Sequence, residues 1–290
     1  MNDYALVSDF DGTITDFDVY ALIAERYMPK EHPDYFAEYR AGHISHFEAM
    51  QAFFHFAPHE PQVLERLLRD TKPDPQLADC VRRLEANGWA LIIVSGGSSW
   101  YIEQILGTAG VSATIHSNPG QIEEGRGLVL RLPKESPFFS PQVGIDKAGV
   151  VRAALKGYKK VAFAGDGPPD IEPALLVAPS LRFARRFLAQ ALDERGEPYQ
   201  PYRSWSEVVE ALLPKVGRYE EPFYRSSQDC PNEAGRAQPH GPLPFTPEFA
   251  PYLPRAEPWP CPGLCRHFKE VHRERWRRVA RPMRGYGGKR

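Results

Sequence analysis

The apolar positions of this chain fall into two alternating kinds of segment. "YALVSDF" (residues 4–10) is β-rich and apolar on both faces, the pattern of a central parallel strand. "WALIIVSGG" (89–97) and "KVAFAGD" (160–166) repeat that pattern. "SATIHSN" (112–118) and "LRFAR" (181–185) predict shorter strands, and "GLVLRL" (127–132) a hairpin-like stretch.

Between the strands the period changes. Val19, Leu22 and Ile23 sit at helical spacing, as do Phe47, Met50 and Phe54, then Val63, Leu64 and Leu67. "KPDP" (72–75) breaks this run. Further helices are predicted over 76–88, near 100–107, and over 146–156, 169–177, 185–196 and 204–215. Strands alternating with helices predict an α/β fold, a doubly wound, mostly parallel, Rossmann-like sheet. The helical block after the first strand reads as a small inserted cap. The boundaries expected are a core over 1–16 and 77–214, a cap over 17–76, and a tail over 215–290.

Charge supports that last boundary. The net charge of -1 hides a tail with 15 Lys/Arg against 8 Asp/Glu, leaving -8 for residues 1–214. The tail also holds 12 of the 29 prolines and reads as weakly ordered. No basic segment precedes a long apolar one, and no run reaches the roughly 20 apolar residues of a membrane span, so the expected location is cytoplasmic. Cys80 is the lone cysteine of the body, which excludes a disulfide framework there.

Candidate chemistry follows the strands. "DFDGT" (9–13) ends the first, "SGG" (95–97) the second and "GDGPPD" (165–170) the third, while Lys147 opens the helix before the third. In doubly wound sheets the ligand crevice lies at these carboxyl ends. One crevice would therefore gather Asp9, Asp11, Ser95, Lys147, Asp166 and Asp170. Crowded carboxylates demand a hard cation, and oxygen ligands favour Mg²⁺. Gly96 beside the Ser95 hydroxyl lets backbone N–H groups approach a phosphate, and Lys147 adds a point charge. Such a set suits phosphoryl transfer through a carboxylate nucleophile with a second carboxylate as acid and base. Taken singly, each residue also fits a turn, a helix cap or a solvated surface; their joint order and strand context favour catalysis.

In that order the four motifs resemble those of the haloacid dehalogenase superfamily of phosphatases, and the resemblance spans residues 1 to about 214. It implies Asp9 as nucleophile, Asp11 as acid/base, and Ser95, Gly96 and Lys147 as phosphate ligands. It further implies a metal site with Asp9, Asp11 and Asp166 as ligands and Asp170 supporting metal and lysine. The cap looks like that of the phosphoserine phosphatase-like branch. Asp18, nine residues after Asp9, falls where that branch carries a substrate-facing glutamate, whereas Asp16 reads as a solvated charge.

"YRAGHISHFEAMQAFF" resembles that branch's cap, including Arg40, Gly42 and Phe47, but Phe54 stands where the branch places a carboxylate-gripping arginine. Its absence argues against an amino-acid phosphate. Met50, Phe53 and Phe54 suit an apolar group instead, and the end of the body is similar to methionine-salvage phosphatases acting on 2-hydroxy-3-keto-5-methylthiopentenyl-1-phosphate. The expected partner is thus a small phosphorylated metabolite, with phosphoserine phosphatase as the alternative. From other classes, a non-hydrolytic adaptor using the tail remains, while the acidic body disfavours a nucleic-acid 3′-phosphatase. In the tail, Cys230, Cys261 and Cys265 with His240, His267 or His272 form a loose zinc pattern. Residues 264–283 form a basic amphipathic pattern whose partner is unknown.

Overall fold

A computed structural model describes residues 2–213; the tail, with its zinc and amphipathic patterns, lies outside the described residues. The described chain opens with β1 (Tyr4–Ser8) and then four short helices, α1 (Val19–Arg26), α2 (Tyr35–Arg40), α3 (His46–Phe54) and α4 (Pro61–Arg69). Helix α5 (Leu77–Ala86) leads to β2 (Trp89–Ser98), followed by α6 (Ser99–Thr108) and β3 (Thr114–Asn118). Two hairpins come next, β4 (Gly120–Glu123) with β5 (Gly127–Leu130), and β6 (Phe139–Ser140) with β7 (Gly144–Ile145). The rest alternates through α7 (Lys147–Gly157), β8 (Lys160–Gly165), α8 (Ile171–Leu175), β9 (Arg182–Ala184), α9 (Arg186–Asp193), β10 (Gln200–Pro201) and α10 (Trp205–Leu212).

Six strands form one parallel sheet in the order β10-β9-β8-β1-β2-β3, with β1 between β8 and β2. The two-residue alternation of side chains gives this sheet a core on each face. Leu6, Leu91, Ile93, Ala162 and Ala164 point to the face shared with Leu77, Leu84, Ile102 and Trp205. Ala5, Val7, Ile92, Val94 and Phe163 point to the other, against Val150, Val151 and Leu188. No helix among the described residues is long and apolar enough to cross a membrane.

Local chemistry explains the helical block between β1 and α5. Helix α3 starts at a capping box in which Ser45 and Glu48 satisfy each other's backbone N–H groups. Pro61 opens α4 at a position where its missing N–H costs nothing, and Leu64, Leu67 and Leu68 turn inward. The β4–β5 hairpin braces α3: the Gln51 amide donates to the Leu128 carbonyl and accepts from the Leu130 N–H. "GLVLRL" supplies only the second strand of that hairpin. The strands β6, β7 and β10 are two residues each, too short to show any period.

Candidate active site

The crevice at the carboxyl edge of the sheet is assembled by the loops leaving β1 and β8, the last residues of β2 and the start of α7. After Ser8 the chain turns sharply, and Gly12 adopts a φ of +70°. A Cβ at Gly12 would lie 2.4 Å from the Asp166 carboxylate, so the turn needs glycine for space as well as conformation. Arg185, almost fully buried, fixes this turn by donating to the carbonyls of Gly12 and Thr15 at 2.7 and 2.8 Å.

At the bottom of the crevice Lys147 bridges two carboxylates, with Nζ 2.8 Å from Asp9 and 2.7 Å from Asp170. Asp170 is wholly buried, and its second oxygen accepts the N–H groups of Asp166 and Gly167. That single side chain thus sets the loop carrying Asp166 and orients the lysine. Asp166 accepts from the Thr13 hydroxyl and pairs with Arg186 at 3.3 Å. Arg186 has a φ of +51°, a left-handed conformation costly for a residue with a side chain, held where it faces the acidic site.

Asp9, Asp166 and Asp170 can each offer a carboxylate oxygen within 4.8 Å of the others. Burial chiefly, then Asp170, pushes Asp9 well above the usual carboxylate range, although Lys147 opposes the rise. Burial and Asp170 likewise push Asp166 up to about 6. The five carboxylates of Asp9, Asp11, Asp18, Asp166 and Asp170 exceed the three cations Lys147, Arg185 and Arg186. The donor set and its surplus negative charge fit one hard divalent ion.

Asp11 was expected among the metal ligands, but its carboxylate lies outside that trio. Its Oδ2 accepts from the Tyr101 hydroxyl at 2.6 Å and from Ser95 at 3.3 Å, and its Oδ1 from the Val19 N–H at 3.2 Å. Burial raises its pKa, against these hydrogen bonds. Ser95 in turn accepts the Gly97 N–H at 2.9 Å, and Asn118 donates to the Gly96 carbonyl at 2.8 Å. A Cβ on Gly97 would fall 1.6 Å from the Tyr101 hydroxyl oxygen, so only glycine allows Tyr101 to reach Asp11.

The residues proposed from the helical block disperse. Asp18 reaches the acidic site, where burial, Asp166 and Asp11 push it up to about 7. Phe54 is fully enclosed with its ring 6.0 Å from that of Tyr101, and Met50 is buried in the core. Phe47 is half-buried, lining a groove with Gln51, Arg126 and Val129. Arg40 is exposed beside Asp34 at 3.9 Å. Conversely, Tyr101, Thr13, Arg185, Arg186 and Tyr20 stand at the site without having been singled out. "RR" directly after a strand end was the one available signal, because the crevice lies at strand ends.

A parallel α/β sheet with a lysine-bridged carboxylate cluster at its carboxyl edge fits the class of enzymes that work on phosphoryl groups. The chain belongs to the haloacid dehalogenase-like hydrolase family, which residues 6–174 match. A Geobacillus kaustophilus 2-hydroxy-3-keto-5-methylthiopentenyl-1-phosphate phosphatase is 27% identical over 212 residues, covering 71% of this chain and 94% of its own. The Microcystis aeruginosa protein of the same name is 24% identical over 206 residues, covering 71% and 95%. Among solved structures, a phospho-aspartyl intermediate analogue of phosphoserine phosphatase shares the fold with a TM-score of 0.52. It is 17% identical and covers 72% of this chain and 99% of its own.

Proposed function

We propose that this hydrolase is a Mg²⁺-dependent phosphatase that cleaves a small phosphate monoester through an aspartyl-phosphate on Asp9. The observation that carries this reading is the Lys147 bridge between Asp9 and Asp170, with Asp166 within metal-ligand reach and Asp11 held apart. In this reading an Asp9 oxygen attacks phosphorus while the leaving oxygen takes a proton from Asp11. The raised pKa of Asp11 favours the protonated form that this step needs. Asp11 then removes a proton from water, whose oxygen attacks phosphorus and frees Asp9 and inorganic phosphate. Tyr101 and Ser95 hold the Asp11 carboxylate in one orientation throughout.

Lys147 and the Gly96 N–H hold the phosphate oxygens. Asp9 and Asp166, with Asp170 behind them, would hold Mg²⁺, which when bound supplies the positive charge that keeps Asp9 ionised and offsets the phosphoryl group. The substrate favoured is 2-hydroxy-3-keto-5-methylthiopentenyl-1-phosphate or a close relative. That choice is supported by the names of the relatives above. Phosphate release measured side by side from that compound and from phosphoserine tests it; faster turnover of phosphoserine would sink the substrate assignment.

A further inference from the structure

His46 opens α3 and was given no role by periodicity or motif. Its ring stands between Phe36, at a centroid distance of 6.3 Å, and the edge-on ring of Tyr39 at 5.4 Å. In that aromatic setting a phenylalanine would pack as well, yet the residue is polar. Its Nδ1 is buried and has no hydrogen-bond partner. Buried polar atoms are nearly always paired, so one left without a partner calls for an explanation.

The position of the ring supplies one. The His46 Cε1 atom is 3.5 Å from where a Cβ on Gly96 would lie, so α3 sets this ring against the "SGG" end of β2. Burial, then the nearby charge of Lys147, push its pKa down to about 4. At neutral pH the imidazole is therefore uncharged, with one N–H donor and one acceptor nitrogen. A monoester whose phosphate is held by Lys147 and the Gly96 N–H would carry its first carbons past this ring.

We propose that His46 is a specificity-determining residue whose imidazole hydrogen-bonds a hydroxyl or carbonyl oxygen on the carbon next to the phosphorylated one. The proposal rests on the phosphatase reading above. It makes the substrate class an oxygenated alkyl phosphate rather than a plain one. A site built to pair a substrate oxygen rejects the analogue lacking it, because its own polar group is then left unpaired.

The test uses two esters that differ by that one oxygen, 2-hydroxypropyl phosphate and propyl phosphate, with the full chain and Mg²⁺. For the wild type, kcat/KM is expected to favour the hydroxylated ester by roughly 10- to 100-fold, the worth of one buried hydrogen bond. His46→Phe, which keeps the packing against Phe36 and Tyr39, should bring that ratio to about 1 while propyl phosphate turnover holds within about threefold. His46→Gln, which retains a donor and an acceptor, should restore part of the preference. A wild type without preference, a ratio unchanged in His46→Phe, or an equal fall on both esters would each overturn the proposal alone. Hydrolysis of p-nitrophenyl phosphate but of neither ester would overturn the proposal alone, and hydrolysis of none of the three would overturn the phosphatase reading with it.

Discussion

Replacing Lys147 by methionine keeps the length of the side chain and removes its charge. The lysine is 8% exposed and lies within 2.8 Å of both Asp9 and Asp170, so nothing from solvent takes its place. Breaking a buried pair by removing one partner costs about 3–5 kcal/mol, because the other charge stays buried. Here two carboxylates lose their partner, with Asp166 beside them. Part of that penalty is relieved as Asp9 takes up a proton, which in turn disables the proposed nucleophile. The expected result is a loss of about 3 kcal/mol in urea unfolding of the metal-free protein. Addition of Mg²⁺ should narrow the gap, since the variant's less neutralised carboxylates bind the ion more tightly than those of the wild type, and tighter binding to the folded state stabilises it more. Turnover of p-nitrophenyl phosphate should fall by at least 10²- to 10³-fold, the usual cost of removing one preorganised charge-stabilising donor. Lys147→Arg should recover little, since a planar guanidinium cannot sit as a compact point charge between two carboxylates. A Lys147→Met protein with wild-type stability and more than a tenth of wild-type turnover would refute the reasoning.

The metal-free protein should lose stability as pH rises from about 4 to 7. Asp166 and Asp18 have folded pKa values near 6 and 7 against an ordinary 3.8, so the folded state holds protons that the unfolded chain has released. The gain is complete below the ordinary value and is lost as pH passes 6 and 7. Urea midpoints at the two ends of this window check it, and saturating Mg²⁺ should flatten the slope; a rise in metal-free stability would contradict it. Tyr101→Phe removes the 2.6 Å hydrogen bond to Asp11 and should move the Asp11 inflection in the pH–rate profile upward, since a donor to the ionised form is lost. An unmoved inflection would disconnect Tyr101 from the acid/base step. Gly97→Ala places a Cβ 1.6 Å from the Tyr101 hydroxyl oxygen and should displace that side chain, reducing kcat about 100-fold. Wild-type kcat would show that this strand end can yield.

Much of this molecule was legible because its chemistry sits where its hydrophobic pattern ends. β1, β2 and β8 read as unbroken apolar runs, and each hands over to an acidic or glycine-rich turn at the same edge of the sheet. Asp16, from the same cluster as Asp9 and Asp11, is exposed but not merely solvated: its carboxylate lies 3.8 Å from the Arg185 guanidinium. Side chains that act through distant partners were not legible. Tyr101 meets Asp11 across 90 positions, and Arg185 meets Gly12 across 173, with nothing local to mark either. His46 looks like any polar residue at a helix start until its ring is found against Gly96. Phe54 and Met50 illustrate the converse. Their apolar character carried an expectation of a substrate pocket and their helical spacing the plainer one of internal packing; the structure encloses both in the packing beneath the block.

The central claim is that the Asp9 carboxylate forms and breaks a bond to phosphorus. Asp9→Asn keeps the shape and removes the nucleophilic charge, and the measurement is phosphate release from a small monoester with Mg²⁺ under single-turnover conditions. The account predicts release no faster than from an enzyme-free control, with no acid-stable phosphate retained on the protein. Release from Asp9→Asn at a rate near that of the wild type would contradict it.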